Sequence, residues 1–217
     1  VVEDVPSRAE AGLPETGFVF ASFNNTYKIS PEMFSVWMRL LATVEGSVLW
    51  LLEDNPFAAE NLRREAAARG VSPERMIFAP RTTPEKHLAR QPLADLFLGT
   101  LPYNAHTTAS DALWVGLPAV TMPGTTFPGR VAASLLTAVG LPELITPSLD
   151  DYERLALKLA RDPEALSTLK AKLSAHRQSF PLFDTKRFTR HLEAALTEMW
   201  ERHQQGLPPQ TFAVTPQ

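Results

Sequence analysis

The sequence predicts an α/β fold, a doubly wound parallel sheet of Rossmann-like type, from three observations. Short runs that are apolar on both faces alternate with helical runs along most of the chain. The apolar runs lack polar alternation, which suits a parallel sheet covered by helices on both sides. Helical runs open on a capping residue followed by proline at Ser30-Pro31, Asn55-Pro56 and Thr83-Pro84, so these boundaries are marked chemically. Right-handed crossovers then wind such a sheet in both directions.

The elements follow in order. Residues 17–23, "GFVFASF", read as a buried strand. Ser30-Pro31-Glu32 starts a helix, with Met33, Phe34, Trp37, Leu40, Leu41 and Val44 at helical spacing and Gly46 as its stop. "SVLWLLE", 47–53, is the second strand; Asn55-Pro56 opens a helix that ends at Gly70. "MIFAP", 76–80, is a strand, and Thr83-Pro84-Glu85 opens a short helix through Arg90. "ADLFLGT", 94–100, is a strand leading into "NAHTTASDALWVG", 104–116, an apolar helix with a polar start. "PAVTMP", 118–123, is a strand, followed by a helix near 130–139 and a last strand at 143–146. Three helices remain, over 149–161, 163–178 and 184–205.

Composition narrows the functions. The 217 residues suffice for one large α/β domain, and 44% of them are hydrophobic. A formal net charge of −3 gives no general attraction to nucleic acid or to a membrane surface, and no apolar run approaches a membrane span. The absence of cysteine excludes disulfides, thiolate metal sites and thiol nucleophiles. Residues 1–16, polar and acidic, read as a linker or the cut edge of a longer chain; 17–205 read as the folded lobe; 206–217 read as a poorly ordered tail.

In doubly wound sheets, ligands bind outside the carboxyl ends of the strands, which directs attention to three loops. Lys28, in the loop after the first strand, is either a solvated surface lysine or an ammonium placed to neutralise a diphosphate. His87 and Arg90 share a face of the short helix that Thr83 begins; they are either exposed polar residues or a pair for a nucleobase. In the third loop, His106, Thr107 and Thr108 crowd a helix start, where free N–H groups and the helix dipole bind phosphate readily. Asp111 follows on the same face and can accept the hydroxyls of a ribose. The plainer reading is a capping box of Thr108 with Asp111, which leaves His106 and Thr107 unexplained.

The familiar nucleotide fingerprints are missing: the chain has neither G-x-G-x-x-G nor G-x-x-x-x-G-K-[ST]. It has no G-x-S-x-G elbow and no H-E-x-x-H. No two aspartates stand two apart, so the D-x-D device for a metal-bound sugar nucleotide is absent. A pyrophosphate bound here would be neutralised by Lys28 and helix dipoles, with no metal expected.

Several stretches together resemble one family. "NNTYKISPEMFSVWMRLLATVEGSVLWLLEDN", "HLARQPLADLFLGTLPYNAHTTASDALWVGLPAVTMPG", "GRVAASLL" and "FPLFDTKRFT" resemble the catalytic region of O-linked N-acetylglucosamine transferases. These are nucleocytoplasmic protein glycosyltransferases whose relatives include the Spindly group, and this chain resembles a bacterial-type homologue. The likeness runs from about Phe18 to His203. It implies a two-lobed GT-B glycosyltransferase in which this chain is the C-terminal lobe, holding the UDP of UDP-N-acetylglucosamine. It also implies a cytoplasmic location, and partners in the N-terminal catalytic lobe, a helical-repeat region of the same protein and acceptor proteins. No cofactor beyond the donor is implied.

Carried over by this resemblance, Lys28 contacts the diphosphate, and His106, Thr107 and Thr108 surround the phosphates and the sugar link. Asp111 holds the ribose. His87 and Arg90 sit at the uracil, with the backbone near Thr82. Asn25 and Tyr27 lie close to the reacting centre, so that Lys28, His106 and Tyr27 are the catalytic candidates. Two positions depart from the family pattern: Pro84, where animal members tend to have lysine, and Tyr103, where a smaller residue is common. The alternatives are transfer of fucose from GDP-fucose, a nucleotide-sugar-binding half without catalysis, and a GT-B-shaped epimerase. The final helix either packs on its own sheet or crosses back to brace the other lobe.

Overall fold

The computed structural model describes residues 4–215. Five strands, β1 (Val19–Ser22), β2 (Val48–Leu52), β3 (Met76–Ala79), β4 (Leu96–Leu98) and β5 (Ala119–Val120), form one sheet in the order β3-β2-β1-β4-β5. Every pairing is parallel; Phe20, for example, lies opposite Leu49 on one side and Leu96 on the other. The helices are α1 (Pro31–Thr43), α2 (Pro56–Ala68), α3 (Pro84–Arg90), α4 (Thr107–Trp114), α5 (Val131–Ala138), α6 (Leu149–Arg161), α7 (Pro163–Ser179) and α8 (Thr185–Gln204). The winding runs from β1 out to β3, then back across to β4 and β5. Right-handed crossovers therefore put α1 and α2 on one face and α3 and α4 on the other.

β1, β2, β4 and β5 are buried at every position, as strands covered on both faces are. Phe20, Trp50 and Phe97 are completely buried in the core, each contributing roughly 1.5–3 kcal/mol by removal from water. Ser30, Asn55, Ser148, Asp162 and Asp184 each accept from a backbone N–H of the helix they begin, as capping requires. α1 packs on α6, and the buried Tyr152 ties that layer to the sheet. Its hydroxyl donates to the Gly99 carbonyl at 3.0 Å and accepts from the Trp37 indole at 3.4 Å.

One expectation is corrected, and the structure bears on two others. The strand at 143–146 is only one parallel bridge, Thr121 to Ile145. Proline lacks an N–H and favours a turn, and Pro142–Leu144 form a 3-10 turn instead. At the start of the tail, Leu207 donates its N–H to the Arg202 carbonyl and Arg202 donates to the Pro208 carbonyl at 2.9 Å; residues 207–215 form no helix or strand. The final helix does not pack on its own sheet. α8 has no buried residue, meets the Pro181–Phe183 turn, and leaves Phe188, Leu192, Leu196, Met199 and Trp200 exposed. At the other end, Arg8 donates to the Gly17 carbonyl at 2.9 Å and Leu13 is buried, so the leading segment is anchored at these two residues.

Candidate nucleotide site at the switch point

The chain leaves β1 toward one face and β4 toward the other, although the two strands are neighbours. Their diverging loops open a crevice at the carboxyl end of the sheet, where doubly wound folds bind ligands. Three consecutive residues at the end of β1 reach its walls. The Phe23 ring meets His87 edge-on at 5.0 Å and lies 5.2 Å from the Arg90 guanidinium. Asn24, buried, accepts from the Thr108 hydroxyl at 2.8 Å and donates to Ser22 Oγ at 3.2 Å. Asn25 accepts from Arg81, which also pairs with Asp54 at 2.7 Å, so the loops after β1, β2 and β3 are laced together. That pairing, led by the Arg81 hydrogen bond, holds the Asp54 carboxyl below its ordinary range.

The α4 wall begins without a side-chain cap. His106 occupies the N-cap position and no side chain bonds the first N–H groups of the helix. The Thr108–Asp111 capping box does not form, because Thr108 already stands inside the helix and its hydroxyl is given to Asn24. The His106 ring is fixed from behind: Nε2 lies 3.1 Å from the Pro128 carbonyl. A carbonyl only accepts, so Nε2 carries the hydrogen and Nδ1 is left to face other groups. Thr107 is exposed, while Thr108 and Asp111 are half-buried. Burial raises the Asp111 carboxyl above its usual value. The Pro128 loop approaches closely because of glycine: a Cβ on Gly129 would stand 2.9 Å from the Pro102 carbonyl.

Lys28 ends a 3-10 turn, Thr26–Lys28, and reaches across the crevice to the other loop. Its Nζ donates to the Asn104 carbonyl at 3.1 Å and lies 3.9 Å from the Tyr103 ring centroid. Burial lowers its pKa. Tyr27 stays exposed, with its ring 6.2 Å from that of Tyr103.

On the α3 wall, Thr83 makes no side-chain cap bond and Arg90 is 8% exposed, so the pair is not a solvated face. Arg90 donates to the Pro80 carbonyl at 2.7 Å and through Nη2 to His87 Nδ1 at 2.9 Å. A guanidinium cannot accept, so His87 is neutral with its hydrogen on Nε2. Burial first, and the Arg90 charge second, push His87 down to about 4. Thr82 is exposed on the loop between Pro80 and α3.

Contacts thus join the loops that carry the candidates: Lys28 and Tyr27 of the β1 loop meet Tyr103, which meets His106; Thr108 bonds Asn24; His87 and Arg90 meet Phe23; Asn25 bonds Arg81, next to Thr82; and Thr107 and Asp111 share α4 with Thr108. Sequence reasoning missed Asn24, Phe23, Asn104, Arg81 and Asp54. A legible signal existed for one of them: Asn24 is an amide placed just after a buried apolar strand, where only bonded polar groups are tolerated. Among the described residues no three His, Asp or Glu gather to hold a metal ion, and no helix is long and apolar enough to cross a membrane.

The family model described as "Glycosyl transferase family 41" matches residues 3–192. The chain belongs to glycosyl transferase family 41. Within it, the chain is 41% identical over 210 residues to a probable UDP-N-acetylglucosamine–peptide N-acetylglucosaminyltransferase of Arabidopsis thaliana, covering 96% of this chain and 22% of that protein. It is 39% identical over 202 residues to the corresponding enzyme of Caenorhabditis elegans, covering 93% of this chain and 18% of that protein. A solved O-GlcNAc transferase mutant from Thermobaculum terrenum superposes with a TM-score of 0.81 and 34% identity, over 85% of this chain and 36% of that one. The fold is that of the C-terminal lobe of a GT-B glycosyltransferase. This family 41 chain spans about a fifth of the length of the curated relatives it matches.

Proposed function

We propose that this chain is the UDP-holding lobe of an inverting, cytoplasmic glycosyltransferase that moves N-acetylglucosamine from UDP-N-acetylglucosamine to serine or threonine hydroxyls of proteins. One observation carries the reading: an ammonium from the β1 loop reaches across to the β4 loop at Asn104, just ahead of an uncapped helix start. That pairing suits a diphosphate. Lys28, the N–H groups of Thr107 and Thr108 and the two threonine hydroxyls hold its oxygens. Asp111 accepts from the ribose. His87, with its Nε2 hydrogen, and the backbone near Thr82 meet the uracil, while Arg90 fixes the His87 ring. His106 stands at the sugar link, with Asn25 and Tyr27 on the sugar side.

In the reaction the acceptor hydroxyl attacks C1 of the sugar and UDP departs. Negative charge grows on the β-phosphate oxygen as the bond breaks. Donors already fixed toward that oxygen lower the barrier most, since they need no reorganisation when the charge appears. Lys28 and the start of α4 fill that role. The remaining length of the relatives and the bare apolar stripe on α8 support a second catalytic lobe and an acceptor-binding helical-repeat region in the same protein.

The test is Lys28→Ala in the full-length protein. Transfer is expected to fall by about 10²–10³, the typical loss of one preorganised donor. Unchanged turnover would remove Lys28 from the chemistry. Calorimetric titration with UDP-N-acetylglucosamine and GDP-fucose separates the donors: tighter binding of GDP-fucose would turn the reading to fucose transfer. Radiolabel that appears in a free epimer rather than on protein would turn it to an epimerase.

A further inference from the structure

Lys28 can serve a diphosphate only if its long, flexible stem delivers the ammonium to one place, and the structure shows what holds it there. An ammonium has three N–H donors. One is spent on the Asn104 carbonyl at 3.1 Å, and a second faces the Tyr103 ring, whose centroid lies 3.9 Å from Nζ. The third remains for an anion in the crevice. Both holding groups are themselves anchored. Asn104 is fully buried; its N–H donates to the Pro128 carbonyl at 3.0 Å and its side-chain amide to the Thr100 carbonyl at 2.9 Å. The Tyr103 carbonyl accepts from the buried Thr100 hydroxyl at 2.7 Å. The ring of Tyr103 also leans on His106, with centroids 5.0 Å apart.

We propose that Tyr103 is a positioning residue: its ring and the adjoining Asn104 carbonyl form a cradle that aims the Lys28 ammonium at the nucleotide's phosphates. This rests on the nucleotide reading of the site given above. The cradle joins the two loops that diverge at the switch point, so the cation from one loop is registered against the helix start that follows the other.

The measurement is calorimetric titration of the full-length protein with UDP and with uridine, which lacks phosphates. The wild type is expected to prefer UDP strongly. Tyr103→Leu is expected to weaken UDP by about three- to thirtyfold, the range for a cation held over an aromatic face, with uridine unchanged. Tyr103→Phe, which keeps the ring, is expected to match the wild type for both. A Tyr103→Leu protein that keeps the wild-type ratio of UDP to uridine affinity overturns the cradle. So does a Tyr103→Phe protein that loses as much as Tyr103→Leu. A wild type with no preference for UDP over uridine overturns the nucleotide reading itself, and the cradle with it.

Discussion

His87 is held neutral by its surroundings, and that has a measurable consequence at the scale of one residue. In the unfolded chain the imidazole titrates near 6.5; folded, burial and Arg90 push it down to about 4. Between those values the unfolded state binds a proton that the folded state refuses, so the stability contributed by neutral His87 is complete above about 6.5. It is lost as pH falls toward about 4, and below that the loss levels off. The expected outcome is a steeper fall in urea midpoint from pH 7 to 4 for the wild type than for His87→Gln. Parallel curves would show that His87 does not titrate low. Within the proposed site, the same depression keeps the Nε2 hydrogen and an uncharged ring available for a base throughout the neutral range.

At the scale of elements, the α1–α6 layer is tied to the sheet through buried polar groups. Tyr152 of α6 is one: its hydroxyl satisfies both the Gly99 carbonyl of the β4 loop and the Trp37 indole of α1. Tyr152→Phe keeps the ring and strands both partners away from water. A loss of about 1–3 kcal/mol in unfolding free energy is expected from chemical denaturation, since a buried polar group left unpaired costs that much. The elements themselves were largely legible from local chemistry. Ser30-Pro31 and Asn55-Pro56 announce their helices, and the apolar runs at β1, β2 and β3 are found where the pattern places them. The last strand was misread because "ELIT" has β-favouring side chains, while Pro142 just before it bends the chain into a turn.

At the scale of the whole molecule, the site arises from contacts between residues far apart in sequence. Thr108 meets Asn24 across 84 positions, and Lys28 meets Asn104 across 76. Periodicity could place Lys28 and the α4 start at one sheet edge, because strand ends share an edge. It could not show that two asparagines stitch the crevice, because hydrogen bonding of that kind depends on the tertiary arrangement. The last helix is equally informative. α8 carries a stripe of exposed apolar side chains on a helix that touches little of its own lobe. Leu192→Glu combined with Leu196→Glu is expected to leave the chain's own denaturation midpoint almost unchanged, within about 0.5 kcal/mol, as surface changes do. In the full-length protein the same pair is expected to lower transfer by preventing the lobes from seating together. Full activity in that variant would free α8 from any such duty.

The wall that carries His87 and Arg90 is a seven-residue helix between β3 and β4, tied back by one Arg90 N–H on the Pro80 carbonyl while the rest of that guanidinium holds His87. In the proposed site the groups assigned to the phosphates sit on other segments, so base selectivity and phosphate grip would be separable there: a graft limited to residues 80–91 is expected to exchange one base for another while leaving Lys28 and the start of α4 in place, a short evolutionary step between enzymes with different nucleotide donors.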